Sequence, residues 1–588
     1  MKKNVLSLSI AAMIGGLGFA GVASAGVSTI LPASAGVAIP GLTTLVPTDA
    51  TKLTVTPDGI GHILLAPYFS TQNGNGTLLS IVNTDTTNGK AVKVRFRGAA
   101  NSDDVFDFSL FLSPGDVWTA NVSQDPATGL SQLYTPDNSC TLPRSAVLNA
   151  TKFKTDRVYG ADDAAKANET REGYVEIFTM ADIPPKVPGT ALTGVVADAG
   201  PDAIANPLFT AIKHTAAGTN PCGLATSDAT LPAAVSKLAA DPAAGADGAV
   251  KHGMWAPSSG LTGSWTVLNI LGASVAWSGN MSALEARKPG ALATDPDVKA
   301  RGRLVFSPQK DTSVAGTAIN GLTADPLLRN SAAAMAGTGT SVITPAQYDL
   351  PDMSTPYLVA SSYPAPNAVE DLPLKHANLL TASLAVKSVV NEYVTNADIS
   401  AATDWVFSSP TRRYAVGVNY APPAPATKPA TMFNSKLATG VADVANVSGY
   451  FTDVNTKIGA GGSSGNPIYQ ACVEPVVGGN SVTAFDQEER TASGEFVVSP
   501  GTAKKVLFCG EVSVLTFNGT SSLSASIAKK DIDTGFVNGW VSIATPGNGA
   551  APGLGLPFLG SSFVKMTGPV VAGQSTNFSI TQPHRFTR

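Results

Sequence analysis

Hydrophobic and polar positions alternate with period two through much of the chain. In residues 91–97 (AVKVRFR), Val92, Val94 and Phe96 fall on one face and Lys93, Arg95 and Arg97 on the other, the pattern of a half-buried strand. Residues 77–97 therefore read as a hairpin: an apolar strand, a turn around Asn88-Gly89, and this second strand. Phe106, Phe108, Leu110 and Leu112 again share a face before Pro114-Gly115 turns the chain into VWTANV. His62-Ile-Leu-Leu-Ala-Pro is a buried run, and NGNG at 73–76 is a turn. Strand patterns resume at 264–277 and 302–308, and again in DWVFSSPTRRYAVGVNY, PIYQACVEPVV, GEFVVSP, KKVLFCGEVSVLTF and GWVSIAT. Short strands joined by tight turns predict a mainly β chain of two immunoglobulin-like antiparallel β-sandwich domains with long irregular or short-helical insertions.

Breaks in this pattern set the expected boundaries. Residues 184–250 are rich in Ala, Pro, Gly and Asp, with short helices expected near 201–214 and 231–240. A second irregular stretch follows at 311–375, and residues 376–394 read as an amphipathic helix. At the start, Lys2 and Lys3 precede an apolar run that ends in Ala23-Ser24-Ala25, the pattern of a secretory signal peptide. Gly26, not Cys, follows the expected cut, which argues against a lipid anchor. The predicted organisation is a signal peptide at 1–25, a flexible leader or extended arm at 26–50, and a sandwich at 51–310 interrupted at 184–250. An insert at 311–375 and a second β-rich domain at 376–588 complete it.

Composition fits export. Only 14% of residues are charged, with a formal net charge of −4 that becomes more negative once Lys2 and Lys3 leave. A weakly acidic chain lacks the basic patch that nucleic acid demands. The 44% hydrophobic content is enough to fill a core, which disfavours disorder. Four cysteines, an even number in an exported chain, are expected to pair by proximity as Cys140–Cys222 and Cys472–Cys509, out of three connectivities. No two of them have metal-ligand spacing.

Three segments carry a resemblance: LFLSPGDVWTANV (110–122), NEYVTNADISAATDWVFSSPTRRYAV (391–416) and the closing NGWVSIAT with LPFLGSSF (538–563). They are similar to a family of secreted proteobacterial cell-surface proteins, largely uncharacterised or described as surface-layer-like. The similar segments cover about a third of the chain, and the inserts take no part. The resemblance implies location and a structural role. It brings no active site.

Residue chemistry is sparse. Gly461-Gly462-Ser463-Ser464-Gly465 matches the letters of a nucleophile elbow, but a Gly/Ser-rich loop with Pro467 close behind lacks the strand and helix that an elbow requires. His62, His214, His252, His376 and His584 are isolated in sequence, and only the fold can assemble a triad. Asp103, Asp104 and Asp107 suit calcium, a hard cation that takes carboxylate oxygens. They equally suit ion pairs with Arg95 and Arg97 across the strands, which is the preferred reading. DIDTG at 531–535 opens like a calcium loop but places Ser542 where a bidentate Glu belongs; Asp162-Asp163 and Asp295/Asp297 are comparable. Trp118, Trp265, Trp277, Trp405 and Trp540 lie in strand-like runs and are expected in the core, with a sugar-binding face as the alternative.

The sequence thus predicts a non-enzymatic exported protein whose partner is itself, in a surface layer or coat. Calcium and cell-envelope glycans are candidate ligands, and nucleic acid is not. A surface adhesin or carbohydrate-binding protein is the alternative, followed by a secreted hydrolase.

Overall fold

The computed structural model describes residues 28–29, 48–155, 158, 160, 162–188, 203–240, 252–269, 274–306, 352–359, 362, 372–417, 431–432, 449–452, 454–458, 470–477, 481–491, 506–527, 529–547, 553–569 and 576–588. The expected signal peptide, Ser463 and its glycines, GEFVVSP and most of 311–375 lie outside the described residues.

The chain is mainly β, built from antiparallel sheets with few helices. In chain order the first sandwich contains β1 (Ile63–Ser70), β2 (Gly76–Asn83), β3 (Gly89–Gly98), β4 (Asp104–Leu112), β5 (Val117–Gln124), β6 (Ser131–Tyr134), β7 (Glu172–Ile183), β8 (Leu261–Asn269) and β9 (Val275–Asn280). Its inner sheet runs β1-β7-β3-β4, extended past β1 by Ser282–Lys288 and past β4 by Cys140–Leu142. Its outer sheet runs β9-β8-β2-β5-β6. Val92, Val94, Phe96, Phe106, Phe108 and Leu110 of the inner sheet meet Ile81, Trp118, Val122 and Trp265 of the outer one in a single core.

This pairing corrects the hairpin expected at 77–97. β2 belongs to the outer sheet and β3 to the inner, so residues 84–88 form an arch between layers. The arch is tied by Asp85, whose Oδ1 accepts from the Thr87 and Asn88 amides at 2.8 and 2.9 Å, and by Asn83, which donates to Asn88 O at 2.9 Å. The Pro114-Gly115 turn likewise carries β4 of one sheet into β5 of the other. Only β3 and β4 form a hairpin in that stretch, with Arg95 opposite Asp107. Gly173 of β7 is needed where it stands, because a Cβ there would meet Arg97 O at 1.7 Å.

The second sandwich uses β10 (Ser388–Val394), β11 (Ala402–Ser408), β12 (Val512–Phe517), β13 (Asn538–Ala544), β14 (Leu559–Met566) and β15 (Phe578–Pro583). One sheet runs Lys529–Ile532, β12, β11, β14, β15, its first pair parallel; the other runs Val482–Phe485, β13, β10, Arg585–Thr587. Trp405, Phe407, Leu515 and Phe517 face Val389, Tyr393, Val541 and Ile543 in its core. The helix expected at 376–394 stops early: Leu372–Leu384 is helical, and Ser388–Val394 is a strand. Val389, Asn391 and Tyr393 point inward with period two, and β-branched valines favour that pleated surface over a helix. The expected insert helices are Pro207–Ile212, capped by Asn206, and Ala233–Ala240. They cover Ala91, Phe111, Met180 and Ile183 on the far side of the inner sheet.

The two sandwiches share core. Val406, Val512, Val514 and Phe563 of the second belong to the cluster that fills the first. The Phe563 ring lies 6.2 Å from Tyr68, 5.5 Å from Trp265 and 6.2 Å from Trp277. Polar contacts seal the junction: Glu172 accepts from the Ser526 and Ile527 amides at 2.8 and 3.1 Å, and Asn75 donates to Leu523 O at 2.8 Å. Phe563→Ala empties this contact and is expected to lower unfolding free energy by about 3–5 kcal/mol in urea titration. A loss under about 1 kcal/mol would show that the junction carries no packing energy.

Candidate functional site

Both faces of the inner sheet are covered, which corrects the half-buried reading of 91–97. Lys93, Arg95 and Arg97 are as buried as Val92, Val94 and Phe96 on the opposite side. They survive there because neighbouring strands present carboxylates in register. Lys93 Nζ lies 3.2 Å from Asp107 Oδ1, and Arg95 lies 3.2 Å from Asp104 Oδ2 and 3.6 Å from Asp107 Oδ2. Arg97 donates through Nε and Nη2 to Glu176 Oε1 at 3.0 and 2.6 Å. Asp352, from a segment far along the chain, closes the ladder 3.6 Å from Arg97. Next to it Arg412 Nε lies 3.4 Å from buried Glu511. Burial, reinforced by the nearby Asp107, pushes the Asp104 carboxyl up to about 7 against the pull of Arg95.

Asp104 and Asp107 thus face arginine and lysine, and Asp103 is buried beside them. The other acidic candidates hold loops. Asp162 caps the Asp163–Glu169 helix by accepting from Ala165 N at 2.8 Å, and Asp533 accepts from Gly535 N at 3.0 Å. Asp295 accepts from Leu292 N at 2.9 Å, while Asp297 pairs with Lys52 and Asp531 lies 3.4 Å from Lys529. Among the described residues no group of three or more His, Cys, Asp or Glu side chains is placed to hold a metal ion.

His62 and His584 act as neutral connectors. His62 Nδ1 accepts from Ala286 N at 3.1 Å, so its other nitrogen donates to Pro257 O at 3.2 Å. His584 uses the same tautomer, with Nδ1 3.0 Å from the Asn391 amide and Nε2 3.0 Å from Val406 O. Burial pushes His62, His376 and His584 down to about 3, helped at His62 by the charge of Lys90. His252 is buried as well. His214 gathers Ser113 Oγ at 3.2 Å and Asp116 Oδ2 at 3.4 Å, but both sit on Nδ1 while Nε2 faces the Asn220 amide at 3.1 Å. A triad needs the acid and the hydroxyl on opposite nitrogens. This cluster instead clasps the insert close to the Cys140–Cys222 bridge.

A pocket of ≈ 490 Å³ opens beside Asp85, Ser258, Ser259, Lys299 and Arg301. Behind it Asp182 accepts from Ser258 Oγ at 2.6 Å, Lys90 Nζ at 2.8 Å and Arg301 Nη1 at 3.0 Å. Lys90 Nζ is 3.3 Å from the Ser258 hydroxyl, yet that hydroxyl already donates to Asp182, so the group ties the 256–260 loop to the sheet.

Four tryptophans (Trp118, Trp265, Trp277 and Trp405) are buried in the cores. Trp540 differs: it is 37% exposed on the outer face of β13 and stacks on Phe485 at 4.1 Å. Cys140–Cys222 and Cys472–Cys509 are both bridged, with Cα separations of 5.2 and 4.0 Å. Two disulfides point to an extracellular or otherwise oxidising environment. Among the described residues no helix is long and apolar enough to cross a membrane. No protein-family model, curated protein or solved structure matches the chain.

Two outcomes follow from these buried groups. Arg97→Met strands Glu176 and should cost about 3–5 kcal/mol in urea titration, and pairing it with Glu176→Leu should recover at least half. The histidines set the acid limb. Unfolded rings bind protons below about pH 6.5, whereas the folded ones wait until about 3, so their contribution is complete above 6.5 and is lost as pH falls. Raised Asp104 and Glu172, both near 7, act oppositely between about 4.5 and 7, since there the folded state holds their protons. Below about pH 4.5 only the histidine effect of the two persists, and His584→Gln should flatten the fall by about 1.4 kcal/mol per pH unit in denaturant titrations at pH 3.5 and 4.5.

Proposed function

We propose that this chain is an exported, non-enzymatic structural protein of the cell surface that associates with copies of itself in a layer or coat. The observation that carries the reading is where its few charges sit. Lys90, Lys93, Arg95, Arg97, Arg412 and Arg413 are buried, as are Asp104, Asp107, Glu176, Asp182, Asp352 and Glu511. A chain that is 14% charged and keeps many of those groups inside has little left to repel a neighbour of its own kind. Shared core between the sandwiches and two disulfides favour a rigid unit, which a coat needs. The signal-peptide pattern and the three surface-protein-like segments support the same address.

A second reading, glycan binding by an adhesin, is favoured by Trp540, whose ring is the one tryptophan exposed among those singled out in the sequence. Flat aromatic faces stack on sugar rings, and Glu392 lies opposite Trp540 on the next strand to offer hydrogen bonds.

Electron microscopy and fractionation of cells with and without the gene test the coat. A protein layer that disappears with the gene and is extracted by chaotrope is expected. Monomer free in the medium, with an unchanged envelope, would overturn the reading. Quenching of Trp540 fluorescence by envelope polysaccharide, lost in Trp540→Ala, would favour the adhesin.

A further inference from the structure

The five strands β9-β8-β2-β5-β6 place no charged side chain on the outer face of their sheet; the nearest ions, Lys152 and Asp125, pair at 3.3 Å at its β6 edge, where Lys152 donates to Gln132. Alternate residues on its five strands point away from the core, and none of them is Asp, Glu, Lys or Arg. One row across the sheet reads Asn280, Ser264, Ser80, Thr119, each in register with the next. Among these small hydroxyl and amide groups stand Leu78, Val117 and Tyr134, exposed by 42%, 45% and 54%. The outer face of the second sandwich's exposed sheet differs, since it presents Glu392 and Arg585.

We infer that this face is the contact between two copies of the chain, packed sheet on sheet about a twofold axis; the inference rests on the coat reading and names its first interface. A twofold contact sets each patch against itself, so any charge would meet its like unless displaced from the axis. A patch without charge escapes that repulsion and the desolvation cost of burying ions. Its size approaches what a stable contact needs. Five strands of four to nine residues, on average about seven at about 3.3 Å each and about 4.8 Å apart, give a plan area on the order of 550 Å². Side-chain relief and exposed Phe578 and Ile580 on adjoining β15 bring this towards the roughly 800 Å² per partner of a stable interface.

Contacts on both edges of the sheet stand against the alternative of strand addition. Ser579 Oγ of β15 accepts from Ala276 N of β9 at 3.1 Å. At the other edge Phe153 N donates to Ser131 O of β6 at 2.9 Å, and Asn149 Oδ1 accepts from Thr135 N at 2.8 Å. With each edge obstructed in this way, the face is the larger surface open to a second copy.

Sedimentation of the full-length chain, wild type against Leu78→Lys and Thr119→Lys, tests this, with Thr483→Lys on the other sandwich as control. All three substituted positions are solvent-facing, so unchanged melting serves as the check on folding. The expected result is association by wild type and the control, with each face variant weakened at least tenfold. Association undiminished in both face variants overturns the inference and leaves the coat reading standing. A wild type that stays monomeric at high concentration, on cells lacking any layer, overturns both.

Discussion

A guanidinium removed from water is tolerable only beside a carboxylate, and the inner sheet buries three cations in one row. That requirement fixes much else. The β3–β4 hairpin must hold Arg95 opposite Asp107, β7 must bring Glu176 against Arg97, and residues around 352 and 412 must return from far along the chain to roof the ladder. Removing one partner leaves an uncompensated ion in a low-dielectric interior, which is why such rows constrain register more than they add stability. The segments that roof it lead into the second sandwich, so ladder and junction are completed by the same half of the chain.

Sequence pattern revealed strands far better than their partners. Alternation located β3, β4 and β5 because period two is a local property. It misjudged the far side of β3, since Lys93, Arg95 and Arg97 look solvent-facing unless the residues opposite them are known. In sequence the arch at 84–88 resembles a hairpin for a related reason: both have a short polar turn, and only the sheets on either side distinguish them. At 376–394 helical and strand periods meet within one run, and the valines after Leu384 decide for strand. The cysteine pairing was legible from proximity. The uncharged face was not, because its rows combine residues as distant as Ser80 and Ser264.

Chemistry that looked ambiguous in sequence resolves into architecture among the described residues. Asp104 and Asp107 neutralise a ladder, Asp162 caps a helix, His62 and His584 bridge backbone to neighbouring strands, and Ser258 anchors a loop through Asp182. Asp162, His62, His584 and Ser258 are hydrogen-bonded within the fold, while Asp104 is held by the charge of Arg95 3.2 Å away. The contrast between this charged interior and the neutral outer sheet is the most informative feature of the molecule. It inverts the usual distribution, in which ions face water and hydroxyls fill gaps.

The roof over the ladder has a further consequence for biogenesis. A growing chain emerges from its N-terminal end, so β3, β4 and β7 exist long before residues 352 and 412 have been made. A folded first half lacking those residues would show Lys93, Arg95 and Arg97 with their carboxylate partners on the uncovered face, a polar surface where a sheet apolar on both sides would be sticky.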